Sequence, residues 1–272
     1  MKLTRRAVLR AGTLGVMGAG LGYAAGLEPG WLEVRHHVVR VPRLPSGLEG
    51  FTVAQLSDVH LSTVGRLHES IFETIRLHRP QLVALTGDII DASERLKSLA
   101  DLCAGLAGDG RAVIATLGNW EHWGRVPIDL LRTTYASAGA RLMINERSTL
   151  APQLELAATD DLVGGRPDLA AVLTSLPTGG LRILLTHAPA ILDAAVDDIP
   201  RFDLALAGHT HGGQIQAWDS ALFVPAGSGR FVAGMYQTSF GAAYVSRGIG
   251  TSILPLRMMC RPELPFFRFV RA

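Results

Sequence analysis

Two histidines two residues apart, His209 and His211, follow a short apolar run with glycines on either side. In extended backbone, residues i and i+2 point the same way, so both imidazoles can face one point beyond a strand. Two convergent imidazoles are a typical metal-binding pair. Five further side chains with metal-binding chemistry follow other apolar runs earlier in the chain: Asp58, His60, Asp88, Asn119 and His187.

Each of these candidate ligands comes at the end of a predicted strand. The four upstream apolar runs comprise residues 51–56, 82–85, 113–117 and 183–185. Ligands in open α/β sheets bind outside the carboxyl ends of the strands, so these scattered side chains can converge. Taken singly, each could equally be a polar residue that ends a strand or a hydrogen-bonded core histidine. The repeated pattern favours a shared metal site.

The candidate ligands offer oxygen and imidazole donors but no thiolate. Such a set favours hard or borderline divalent ions, namely Mn²⁺, Fe, Zn²⁺ or Mg²⁺. Seven ligands exceed what one ion needs, whereas two ions that share Asp88 would each have four protein ligands and open positions. A pair of this kind stabilises an in-line phosphoryl displacement. The predicted reaction is therefore hydrolysis of a phosphodiester or pyrophosphate.

Between the predicted strands, apolar residues recur with helical spacing. One predicted helix starts near Leu67 and stops at Arg79 and Pro80, a second covers 96–106, and a third runs from Pro127 to near Gly139. Alternating strands and helices predict an α/β layered fold. Short Gly-rich runs then follow the histidine pair without helices between them and predict a second, largely antiparallel sheet packed on the first. These runs are 222–225, 231–236 and 242–246.

The first 27 residues are typical of a targeting segment or membrane anchor. Four basic residues precede an apolar run at 11–27, and no acidic residue comes before Glu28. Residues 4–10, with Arg5 and Arg6, resemble a twin-arginine export signal. An ordinary secretory signal and a plain anchor remain alternatives, as do cleavage and retention of the segment. We expect an exported protein, either periplasmic or on the outer face of the cytoplasmic membrane, with the N-terminal segment in contact with the membrane surface.

The remainder, residues 28–272, is predicted to be a single domain, because no linker or repeat divides it. Four of the 26 Lys and Arg residues lie in the targeting segment, so the rest of the chain carries slightly fewer basic than its 24 acidic residues. That balance argues against a nucleic-acid partner. Cys103 and Cys260 have neither metal-type nor redox-type spacing, which favours two buried free thiols over one disulfide.

The ligand blocks resemble the motifs of the calcineurin-like metallophosphoesterases in order and spacing. They are Asp58-x-His60, Gly87-Asp88, Gly118-Asn119, His187 and Gly208-His209-x-His211. The resemblance implies a four-layer α/β/β/α sandwich with a dinuclear centre at its edge. It also implies two ligand sets joined by a bridging Asp88. The first ion would be held by Asp58, His60 and His211, and the second by Asn119, His187 and His209.

The tail at 244–263 resembles a narrower, membrane-associated bacterial branch of that family. The branch includes phosphodiesterases and a UDP-diacylglucosamine pyrophosphohydrolase of lipid A synthesis. This resemblance implies a group of substrates rather than one substrate, and a lipid-linked one such as UDP-2,3-diacylglucosamine belongs to that group. The alternative is that the tail is structural, with Arg247 and Arg257 pairing acidic residues.

The sequence departs from the family pattern at Trp120, where a histidine usually follows Gly-Asn and acts near the leaving group. An indole cannot be a general acid, and losing a positioned donor costs about 10² to 10⁴ in rate. His122 is either a substitute donor or a surface histidine. Trp120 and Trp123 either form an apolar wall for the substrate or belong to the core. The predicted catalytic residues are Asp88, Asn119, His122 and His209.

The missing histidine leaves a rival interpretation open. The chain could be a metal-binding scaffold on the same fold that has lost catalysis. The enzyme is favoured because all seven predicted ligands are present, whereas a decayed site would have lost some of them.

Overall fold

A computed structural model describes residues 20, 22–174, 179–194, 201–218 and 220–272. Arg5 and Arg6, with nearly all of the predicted targeting segment before residue 22, lie outside the described residues. Among the residues that are described, no helix is both long and apolar enough to cross a membrane.

The first sheet carries the three upstream ligand blocks. Its strands are β1 (Glu33–Val41), β2 (Thr52–Leu56), β3 (Leu82–Thr86), β4 (Ala112–Thr116), β5 (Arg141–Leu142) and the C-terminal β14 (Glu263–Arg271). The spatial order is β1-β14-β2-β3-β4-β5. Strands β2 to β5 pair in parallel, so their carboxyl ends share one edge. Strand β14 pairs antiparallel with β2 and parallel with β1.

The predicted helices cover the outer face of this sheet. They are α1 (Arg66–His78), α2 (Leu96–Leu106) and α4 (Ile128–Ser137), and a short α3 (Asn119–Trp123) begins at a ligand. Helix α1 buries Ile71, Phe72 and Ile75 and ends at Arg79, which is left-handed. Pro80 follows and cannot continue the helix, as the sequence predicted. The apolar faces of these helices form one core cluster with the first sheet.

The second sheet is mixed, so the prediction of a largely antiparallel sheet is wrong. Its strands are β6 (Glu146–Ala151), β7 (Leu154–Ala158), β8 (Leu181–Leu185), β9 (Phe202–Ala207), β12 (Gly234–Thr238) and β13 (Gly241–Val245). The order is β12-β13-β9-β8-β7-β6, with parallel pairs in the centre and an antiparallel pair at each edge. The buried strands β8 and β9 belong to this sheet, and the Gly-rich strands form only one edge of it.

The Gly-rich strands of the structure differ from the predicted ones in their bounds. Residues 222–225 form no strand, although β10 (Gln216–Ala217) and β11 (Ser220–Ala221) make a small hairpin just before them. The run predicted at 231–236 is a strand only from Gly234 onward. The run predicted at 242–246 matches β13.

The two sheets pack face to face over a common apolar core. Leu82 and Ile114 of the first sheet, Leu156 and Leu206 of the second, and Phe267 of β14 lie in this cluster. The outer face of the second sheet is covered by α5 (Leu169–Leu173) and a 3₁₀ turn (Pro189–Asp193). The result is the expected four-layer α/β/β/α sandwich.

The C-terminal tail is held by buried polar contacts. Arg247 pairs with Glu263 at 2.8 Å and with Glu33 at 2.9 Å. Arg257 is fully buried and donates to the backbone carbonyls of Gly250 and Arg247 rather than to acidic side chains. Both arginines therefore have structural partners. The two cysteines, Cys103 and Cys260, are buried free thiols, as predicted.

Candidate metal centre

Ligands from both sheets meet where the strands end. Residues after β2, β3 and β4 and residues after β8 and β9 reach the same edge of the sandwich. Asp58, His60, Asp88 and His211 form a first cluster, whose ligand atoms lie within 4.8 Å of one another. The Nε2 atoms of His60 and His211 are 3.1 Å apart. His211 Nε2 lies 3.4 Å from an Asp58 carboxylate oxygen.

A second cluster contains Asp88, His187 and His209, again within 4.8 Å. His187 Nε2 is 3.1 Å from Asp88 Oδ2 and 3.3 Å from His209 Nδ1. The amide oxygen of Asn119 lies 2.9 Å from His209 Nδ1 and completes this set. Asp88 belongs to both clusters. The structure thus brings all seven predicted ligands into two groups joined by one carboxylate, the arrangement that the sequence predicts for two ions.

The backbone at the ligands is bent in the same way on several strands. Asp58, His60, Asp88, His209 and His211 all have left-handed backbone angles, with φ between 45° and 72°. Few residues other than glycine adopt that conformation, although Asp and His do so more readily than most, and such exceptions concentrate at functional sites. The N–H of His209 also donates to Asp58 at 2.9 Å, which ties the ends of β9 and β2 together.

Glycines allow the loops to approach closely at the centre. A Cβ atom at Gly208 would overlap Ser57 and Asp58, and one at Gly118 would overlap Asp88. The glycine in each block therefore makes room for the neighbouring ligand loop.

Hydrogen bonds on the far side of two rings select which nitrogen faces the centre. His187 Nδ1 lies 2.8 Å from the carbonyl oxygen of Thr86, and His209 Nε2 lies 2.7 Å from that of Ala226. We assign the ring proton to the bonded nitrogen in each case, which leaves His187 Nε2 and His209 Nδ1 free as donors to a metal. Bonds of this type orient metal-binding histidines in proteins.

Burial and neighbouring carboxylates shift the pKa values of the ligands in both directions. Burial lowers the pKa of His60, His209 and His211, which favours their neutral form. Burial also opposes protonation of His187, but the Asp88 carboxylate beside it raises the pKa of this imidazole well above its usual value. Burial also raises the pKa of the Asp58 carboxyl to about 7. A cation at the centre would favour the ionised carboxylate and the neutral imidazoles. The residues present therefore suit two ions, and the donor set is the hard or borderline type.

Glu121 supports the centre and was not identified from the sequence. Its buried carboxylate accepts N–H bonds from Asp88 at 3.1 Å, Ile89 at 2.6 Å, Ile90 at 3.2 Å and Gly118 at 2.9 Å. One side chain thus fixes the backbone of two ligand loops. An acid in the first turn of a helix directly after Gly-Asn is the signal that could have revealed this role.

A cavity of about 530 Å³ opens from the metal centre and is bounded mainly by apolar side chains. Trp120 and Trp123 both line it, which favours the apolar wall over the core for these residues. The centroid of the Trp120 ring lies 5.7 Å from that of the His60 ring, with the two rings edge to face. The backbone N–H of Trp120 donates to Asp88 Oδ1 at 2.8 Å. The other apolar walls come from Val163, Ile215, Leu222, Phe223, Pro225, Ile253 and Leu254.

His122 is paired with Asp160, which lies just after β7. Its Nε2 is 2.7 Å from Asp160, and this hydrogen bond raises the pKa of the imidazole. His122 is not among the residues that line the cavity in the described part of the chain. Its role as a proton donor stays a prediction, and that role would require the ring to leave Asp160.

Comparisons with known proteins agree with this geometry. The calcineurin-like phosphoesterase superfamily domain matches residues 51–247. The uncharacterized metallophosphoesterase YkuE of Bacillus subtilis (strain 168) is 35% identical over 98% of this chain and 97% of its own length. Phosphodiesterase YaeI of Escherichia coli (strain K12) is 31% identical over 98% of this chain and 100% of its own. An uncharacterized metallophosphoesterase of Aquifex aeolicus (strain VF5) is 30% identical over 90% of this chain and 94% of its own length. The chain therefore belongs to the calcineurin-like phosphoesterase superfamily and is a metal-dependent phosphoesterase.

Proposed function

We propose that this enzyme hydrolyses a phosphodiester or pyrophosphate bond in a substrate with a large apolar part, with two divalent ions at the candidate centre. The observation that carries the proposal is that four of the ligands, Asp88, Asn119, His209 and His211, line a cavity with mainly apolar walls. Bound there, the two ions would supply an activated water and stabilise the charge of the phosphoryl group. Mn²⁺, Fe, Zn²⁺ and Mg²⁺ all suit the donors.

The side chains of this chain would divide the remaining work. Asp88 would contribute negative charge to both ions, and Asn119 and His209 would fix the position of the second one. Trp120 and Trp123 would contact the apolar part of the substrate and exclude water beside the phosphoryl group. The buried carboxylate of Glu121 would hold the loops of Asp88 and Asn119 in register.

The cavity walls support a lipid-linked substrate such as UDP-2,3-diacylglucosamine, because acyl chains bind to apolar surfaces that a small phosphoester would not need. The phosphodiesterase named among the relatives supports a phosphodiester. Trp120 supports a substrate with a good leaving group, because an indole beside the centre cannot protonate a departing alkoxide.

Metal content and a pair of substitutions test the proposal. We expect two metal ions per chain after reconstitution with Mn²⁺, measured by elemental analysis. Asp88→Asn and His209→Ala should retain the circular dichroism spectrum of the folded protein and lose nearly all hydrolysis of bis(p-nitrophenyl) phosphate. His78→Ala, at the end of α1, is the matched control and should keep full activity.

Two outcomes would contradict the proposal. Binding that saturates at one ion would exclude a dinuclear centre. Tight binding of two ions without turnover of phosphodiester, phosphomonoester or pyrophosphate substrates would instead support the metal-binding scaffold.

A further inference from the structure

Exposed apolar side chains lie on two adjoining loops, and three of them, Leu222, Phe223 and Ile253, also line the cavity. We call Trp218, Leu222, Phe223, Ile253 and Met259 the apolar rim. Ile253 is 87% exposed and Trp218 is 92% exposed. A bridge between Ile215 and Met258 joins the two loops, and Gln214 donates to the carbonyl of Leu254 at 2.7 Å. The rim is therefore one surface, and clustered exposed apolar groups usually mark a binding surface.

Three rim residues occupy backbone conformations that suit Gly or Asn. Trp218, Ile253 and Met259 have φ values of 48°, 63° and 56°. Bulky side chains are rare there, and a β-branched residue such as Ile253 is an outlier. A turn that faced only water would be more stable with Asn or Gly. Large apolar side chains at these tips therefore indicate a partner that the tips contact.

The composition of the loops favours a lipid partner over a protein. Residues 212–229 and 248–256 contain one charged residue, Asp219, which directly follows Trp218. Arg257, which follows, is buried and bonded to backbone carbonyls. Protein interfaces usually have a polar rim around their apolar centre, whereas a surface that enters the boundary of a bilayer exposes aromatic and aliphatic groups, which outnumber the one charged residue here.

The N-terminal segment joins the fold beside the apolar rim. The carbonyl of Ala24 accepts the N–H of Arg257 at 2.9 Å, and Glu28 accepts the N–H of Cys260 at 2.6 Å. These contacts place the start of the domain against the loop of Ile253 and Met259. The sequence before Ala24 contains basic residues followed by a long apolar run, the composition of a segment that associates with membranes.

We propose that the apolar rim docks on a lipid bilayer, so that the cavity opens toward the membrane and a lipid-linked phosphoester enters from the bilayer. The identity of what enters rests on the proposed function. The docking itself depends only on the rim. The docking proposal and the proposed function can therefore fail independently.

Fluorescent labels test the docking directly. Both native cysteines are buried, so a thiol-reactive NBD label will react at an introduced cysteine. Trp218→Cys and Met259→Cys place the label on the rim. Leu77→Cys is the matched control, since Leu77 is 77% exposed near the end of α1, which runs back from the metal-centre edge. The full-length protein is reconstituted in phosphatidylethanolamine and phosphatidylglycerol vesicles that contain a nitroxide lipid.

We expect quenching by the nitroxide lipid to be at least about fivefold stronger at positions 218 and 259 than at 77. Equal quenching at all three positions, or none at the rim, would overturn the proposal. Iodide in solution is added before reconstitution as a second quencher. If iodide reaches position 77 but not the rim, the N-terminal segment or a second copy covers the rim, and bilayer docking is excluded.

A substrate in vesicles and a soluble substrate together distinguish an effect on membrane docking from an effect on the hydrolytic step. Trp218→Asn with Met259→Asn removes two rim side chains that do not line the cavity, and Asn suits their backbone angles. Hydrolysis of hexadecyl p-nitrophenyl phosphate in vesicles should fall about tenfold, while soluble bis(p-nitrophenyl) phosphate should change by less than about twofold. Leu77→Asn should alter neither. Equal effects on both substrates, or no effect on the vesicle substrate, would contradict docking. If the wild type cleaves neither substrate, the proposed function fails and the label experiment still decides the docking.

Discussion

Trp120 places an indole where proton donation would help the leaving group. Its ring meets His60 edge-on and lines the cavity, so it can shape the site but cannot give up a proton. Without a donor, the rate should depend strongly on how well the leaving group departs as an anion.

We expect Trp120→His to flatten the dependence of log kcat/KM on leaving-group pKa. The variant should help alkyl phosphodiesters most and aryl ones least, and the gain for poor leaving groups should approach about 10². The measurement is a series of aryl and alkyl phosphodiesters with wild type and variant. Trp123→His, farther along the same wall, is the control. A shallow slope in the wild type would mean that another residue supplies the proton, and His122→Ala would then be the next variant.

The His122 and Asp160 pair should make stability depend on pH. The hydrogen bond to Asp160 raises the pKa of His122. A raised histidine pKa adds stability that is fully present below about pH 6.5 and is lost as pH rises through the folded-state value. Burial opposes ionisation of Asp160, but the hydrogen bonds that this carboxylate accepts lower its pKa overall. Asp160 therefore stays ionised, and the pair contributes to stability, down to about pH 4.

We therefore expect His122→Gln to lower the free energy of unfolding most near pH 5 and least above the raised pKa. The difference should be about 1 kcal/mol or less, because solvent screens this half-buried pair. Urea denaturation at several pH values measures it. Burial lowers the pKa of His78, so His78→Gln should show the opposite pH dependence, with any gain in stability greatest at low pH. A pH-independent difference for His122→Gln would contradict the ion pair.

At the level of elements, Glu121 joins the loop after β3 to the loop after β4. Glu121→Ala would leave four buried N–H groups without their acceptor, which should reduce the free energy of unfolding by about 2 to 4 kcal/mol. Urea denaturation of the variant checks this value. Glu73→Ala, on the exposed face of α1, should change it by less than about 0.5 kcal/mol. A loss of metal affinity with unchanged stability would show that Glu121 acts only on the ligands.

The ligand strands could be predicted because each is a short apolar run that ends in a polar block. Helix α1 could be predicted for a similar reason, since its apolar spacing ends at Arg79 and Pro80. Assignment of strands to sheets could not be predicted in this way. An apolar run such as β8 fits either sheet equally well, and only long-range packing decides between them.

Contacts between distant parts of the chain also escaped prediction. Strand β14 lies between β1 and β2, and its register pairs Glu33 with Glu263. In β1, apolar residues alternate with polar ones only in part, and nothing in this local pattern indicates that the strand pairs with β14 at the other end of the sequence. The ion pair of His122 with Asp160 is similar, because 38 residues separate its two members. The seven ligands could be predicted from their blocks, and the acid after Gly-Asn could have indicated Glu121, whereas the role of Asp160 depends on the folded loops.

At the scale of the whole molecule, we propose that the protein is exported in folded form and works at the outer face of the membrane. Fusion of residues 1–28 to a reporter that must fold before translocation should place the reporter outside the cytoplasm. Arg5→Lys with Arg6→Lys should block this export, whereas Arg10→Lys, outside the pair, should not. Export that survives the double substitution would indicate an ordinary secretory route or a simple anchor, and cell fractionation with reporter activity measures the result.

The division of the ligands between two sheets has a consequence for the lifetime of the protein. Asp58, Asp88 and Asn119 follow strands of the first sheet, while His187 and His209 follow strands of the second. An ion held by both groups cross-links the two halves of the sandwich. Ligands that bind only the folded state stabilise it by RT ln(1 + [L]/Kd), about 2.7 kcal/mol at 100 times Kd. Metal concentration would thus set how often the two halves separate and how quickly proteases degrade the chain. When metal is scarce, the metal-free and inactive molecules would be degraded first.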